Sequence, residues 1–102
     1  MAQQDDAFWA LVEKFIEQAN DAPETLGLTE VGGALLCAAA RFNAYALAAS
    51  SIDRKSFKED FDQSLSDYSQ QFKALLAEDL ADYGENYKVL IGNKDEDEQA
   101  DA

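Results

Sequence analysis

Thr29-Glu-Val-Gly-Gly-Ala-Leu-Leu-Cys-Ala-Ala-Ala-Arg-Phe-Asn-Ala-Tyr-Ala-Leu-Ala-Ala-Ser50 carries only two charged residues, Glu30 and Arg41. Laid on a helix, its apolar residues do not make a single stripe. Val31, Leu35, Ala38, Ala39, Phe42, Ala46 and Ala49 form one face. Leu36, Ala40 and Leu47, with Gly33, extend that face round one side. Glu30, Cys37, Arg41, Ala44 and Ala48 are left for the remaining strip. A helix apolar over more than half its circumference is either central in its bundle or shared with a second chain. The alanines and Gly32-Gly33 allow neighbouring backbones to approach closely. Three helices in an 11.2 kDa chain cannot surround one of their own, so self-association, as a homodimer, is expected.

Two more helices flank this one. On the N-terminal side, Phe8, Leu11, Val12, Phe15, Ile16 and Ala19 follow the i, i+3/i+4 spacing of one face, with Trp9 at its edge. Asp5 and Asp6 are suited to accept the free amides of the first turn. Pro23 disfavours helix in the residue before it, which ends the segment near Asn20 and makes 21–28 a connector. Thr29 is the expected cap of the middle helix. On the C-terminal side, Phe57, Phe61, Leu65, Tyr68, Phe72, Leu75, Leu76, Leu80 and Tyr83 make the cleanest amphipathic pattern in the chain. Asp53 or Ser56 caps this helix, Ser56 with Glu59 matching a capping box. Gly84 is a stop signal, yet Tyr87 and Leu90 keep the phase, so an end near 83 and an end near 90 both fit. No period-two strand pattern is present.

The fold class expected is all-α: an up-down-up three-helix bundle with helices at about 6–20, 29–50 and 54–83, the last extending to about 90 in the longer reading. Residues 1–90 make one helical domain. Residues 91–102 make an acidic tail, read as disordered.

Composition narrows function more by exclusion than by assignment. The 102 residues include no His and a single Cys, which removes His-based triads and nearly all zinc and di-iron sites. Cofactors are expected to be none, and no catalytic motif is present, so the chain is expected not to be an enzyme. A net charge of −13, of which −10 falls on residues 1–87, repels phosphate backbones and anionic lipid. Neither nucleic acid nor membrane is an expected partner. No run reaches about 18 uncharged apolar residues, and the first residues lack a basic stretch followed by an apolar one. The lone Cys fits a reducing cytoplasm, the expected location.

The middle helix also carries a resemblance. Gly33-Ala-Leu-Leu-Cys-Ala-Ala-Ala-Arg-Phe-Asn-Ala-Tyr45 is similar to the signature of a small bacterial family catalogued only as a domain of unknown function. Ala7-Phe8-Trp9, Phe15-Ile-Glu-Gln-Ala-Asn20 and Asp79-Leu-Ala-Asp-Tyr83 resemble its members as well, over about residues 5–87. The resemblance implies a short helical protein of bacterial origin. It brings no activity, substrate or catalytic residue to any position.

Several residues stand out as interface or pocket candidates: Trp9, Leu36, Arg41, Asn43 and Leu47. Arg41 and Asn43 interrupt the most apolar helix. They read either as a small-molecule-binding pair between helices, or as a structural amide and a surface charge. Trp9, Tyr45 and Ile52 either line a groove for a partner helix or cap the bundle ends. Glu78, Asp79, Asp82 and Glu85 read as a solvated acidic face, since carboxylates on one helix splay apart and no calcium-loop pattern accompanies them. Asp60, Asp67, Glu78 and Asp82 form an acidic stripe. An acidic mimic of nucleic acid is the remaining reading, which their gaps of 7, 11 and 4 residues fit poorly. Cys37, on the exposed strip, acts as a small hydrophobe or as a thiol tuned by Arg41.

Overall fold

A computed structural model describes residues 6–92. It is all-helical, with α1 at Asp6–Asn20, α2 at Leu28–Ser50, α3 at Arg54–Glu59, α4 at Phe61–Glu85 and α5 at Tyr87–Ile91. The chain divides into two compact units, residues 1–52 and 53–102.

In the first unit α1 and α2 touch. Helix α1 ends where proline dictates. Asp21 N–H donates to Glu17 O at 3.0 Å, and Ala22 N–H to Ala19 O at 3.2 Å. The connector then makes one turn, closed by Leu26 N–H to Pro23 O at 3.0 Å. Helix α2 starts one residue earlier than expected, at Leu28, and Gly27 rather than Thr29 is its cap. Glu30 explains the shift: its Oε1 accepts from Gly27 N–H at 2.9 Å, so the third helical residue reaches back to satisfy the cap amide. At the far end Ser50 and Ser51 hydroxyls donate to Ala46 O and Leu47 O at 2.7 and 2.9 Å. These bonds compete with the helical ladder and help it to stop.

In the second unit the single long helix expected from 54 is divided. Asp53, in extended backbone, caps α3 by accepting Ser56 N–H at 2.8 Å. Ser56 therefore lies inside the helix and is not its cap. At Asp60 the backbone opens to φ −87°, ψ 6°, and α4 begins at Phe61. A short polar side chain that favours non-helical local bonding suits that position. Gly84 does not stop α4, which runs to Glu85. Asn86, at φ −115°, ψ 33°, separates it from α5. The Asn86 amide donates to Asp82 Oδ1 at 2.8 Å, which fixes the break. Tyr87 and Leu90 are thus helical, as their phase indicates, but in a separate element. Gly92 ends α5 with φ 116°, a left-handed conformation that glycine adopts at low cost. Ile91, expected in the tail, is the last residue of α5. The remainder of that tail, and Asp5, lie outside the described residues.

The all-α class therefore holds, while five helices among the described residues stand where three were expected. No described side chain is buried. The apolar stripes are formed as the periodicities require, but they are not closed into a core.

Candidate interaction surface

Helix α2 has an inner and an outer side. Asn43, Ala46 and Leu47 are half-buried, as are Val12 and Ala19 of α1. The covered side of α2 therefore lies to one flank of the face centred on Leu35, Ala38 and Phe42. That face is covered only in part: Val31 and Ala46 of it are half-buried, whereas Phe42 is bare. Phe42 is 65% exposed and Tyr45 66%, with their rings 6.0 Å apart and tilted by 54°. Leu36 is 55% exposed although it shares a stripe with the half-buried Asn43 and Leu47. The lower half of that stripe is covered and its upper half is bare.

The candidate residues separate accordingly. Asn43 Nδ2 donates to Ala39 O at 2.8 Å, so its amide is satisfied by its own helix. Arg41 is exposed, with no ion pair among the described residues. Two residues apart on a helix, Arg41 and Asn43 point about 160° away from each other. They share no face of α2 and line no common pocket from it. Trp9 packs edge-on against Phe8, centroids 4.9 Å apart at 88°, and both remain largely exposed. Ile52 is bare, in the turn between the units' helices. Cys37 is exposed, as its place on the polar strip indicates. The exposed Phe42–Tyr45 pair was only half legible in the sequence. Tyr45 reads as an edge residue, but Phe42 reads as core, because periodicity identifies a face without saying whether anything covers it.

Glycines make the openness of α2 concrete. A Cβ built on Gly32 or Gly33 meets nothing within 4 Å. The close backbone approach that this pair permits is not made among the described residues.

Helix α4 presents a second uncovered stripe. Phe61, Leu65, Phe72 and Leu80 are each more than half exposed. Its acidic residues do not make one continuous strip. Asp60 sits at the break before the helix. Asp67 accepts from Gln63 Nε2 at 2.8 Å, and Asp82 is engaged by Asn86. No cluster able to hold a metal ion occurs among the described residues. The basic residues Arg54, Lys55 and Lys58 sit together on α3 beside Glu59, lining a shallow depression. Lys55 Nζ and Glu59 Oε2 are 3.9 Å apart, an exposed pair of small energetic consequence.

By length and composition α2, with Glu30 and Arg41 as its two charges, is long and apolar enough to cross a membrane. Arg41, however, lies two residues from the helix midpoint, where a guanidinium costs about 2.5–3.5 kcal/mol in hydrocarbon.

A family model described as "Protein of unknown function (DUF3144)" matches residues 8–83. No match was found among curated proteins or solved structures.

Proposed function

Since the chain belongs to this DUF3144 family of unknown function, which assigns it no activity, we propose that it works by protein–protein contact, and first of all by self-association. The observation that supports this reading is the largely uncovered apolar face of α2, with Leu36, Phe42 and Tyr45 all more than half exposed. Exposed apolar patches of this kind mark interaction sites in soluble proteins. In proteins most of a helix's stability comes from the packing of its apolar face. A second copy offers the same small-residue surface, and such self-complementary interfaces are the commonest in soluble oligomers. Contact rather than catalysis also fits a chain with no His. The charge at Arg41 favours association in water over insertion in a bilayer.

Sedimentation velocity at micromolar concentration tests the proposal. The wild type is expected to run as a dimer or larger species, and Leu36→Glu as a monomer, because a carboxylate buried in an apolar contact costs several kcal/mol. The protein is also expected to stay unbound when mixed with neutral lipid vesicles and floated. A wild type that is a compact monomer throughout the micromolar range contradicts the reading.

A further inference from the structure

We draw no further inference here: the strongest candidate, the exposed apolar stripe that runs along α4 from Phe61 through Phe72 to Tyr83, carries none because nothing in the structure shows what covers it.

Discussion

Asp53 shows how much one residue decides locally. Its carboxylate accepts the Ser56 amide at 2.8 Å, which supplies one of the orphan donors at the start of α3. That bond, with a further contribution from the Ser56 side chain, holds the carboxyl below its ordinary value. The capped state is therefore complete at neutral pH and is lost as pH falls through the lowered value. The Ser56 amide proton is the direct reporter by NMR. Its shift is expected to titrate with a midpoint below about 3.9, the usual aspartate value. In Asp53→Ala the shift is expected to sit near its acid limit already at pH 7, while Asp53→Asn keeps the bond and loses the titration. A midpoint at or above that of an ordinary aspartate contradicts the cap. The sequence offered both Asp53 and Ser56 as caps. Only the extended backbone at Asp53 separates them.

At the scale of elements, α2 and α4 each hold a glycine where the chain leaves room for a methyl group, and the two are expected to respond oppositely. Nothing lies within 4 Å of a Cβ built at Gly33 or at Gly84. Helix propensity alone makes Gly→Ala favourable by about 1 kcal/mol at either position. Gly84→Ala is expected to show that gain as a rise in Tm of several degrees, since it lies off the apolar stripe of α4. Gly33→Ala adds its methyl to the small-residue surface of α2, where a second backbone is to approach. It is expected to weaken dimerisation about tenfold, or 1.4 kcal/mol, as read by sedimentation equilibrium. A Gly33→Ala that raises Tm and leaves the dimer constant unchanged shows that no backbone comes close there. Such contrasts also mark what the sequence made legible. The faces of α1, α2 and α4 and the Pro23 break follow from periodicity and from the backbone chemistry of proline. The breaks at Asp60 and Asn86 do not, because the apolar phase runs on through both and only local side-chain bonding interrupts it. Leu36, Asn43 and Leu47 share one stripe, and no pattern in the sequence tells that Leu36 is bare while the others are half-covered. The separation of Arg41 from Asn43 was available from helix geometry alone.

At the scale of the whole molecule, two opposed quantities set the behaviour: apolar faces without cover and a net charge of −13. The first favours association and ties folding to it. No described side chain is buried, so under the proposed self-association most of the packing energy that helices need comes from the contact between copies. Helix content is then expected to depend on concentration. Ellipticity at 222 nm should fall as the protein is diluted through its dimer constant, and Tm should rise with concentration, as linkage requires for a folded state stabilised by its partner. The second quantity opposes association, since two copies bring 26 net negative charges together. Screening reduces that repulsion: the Debye length shrinks from about 30 Å at 0.01 M salt to about 3 Å at 1 M. Raising sodium chloride from 20 to 500 mM is therefore expected to tighten the dimer about tenfold and to raise helicity at a fixed low concentration. An assembly held by ion pairs between copies shows the reverse, loosening with salt. A folded monomer shows neither response: its ellipticity is flat with dilution and nearly flat with salt. One dilution series in two salt concentrations thus separates contact through apolar faces from contact through charge, and both from a chain that folds alone.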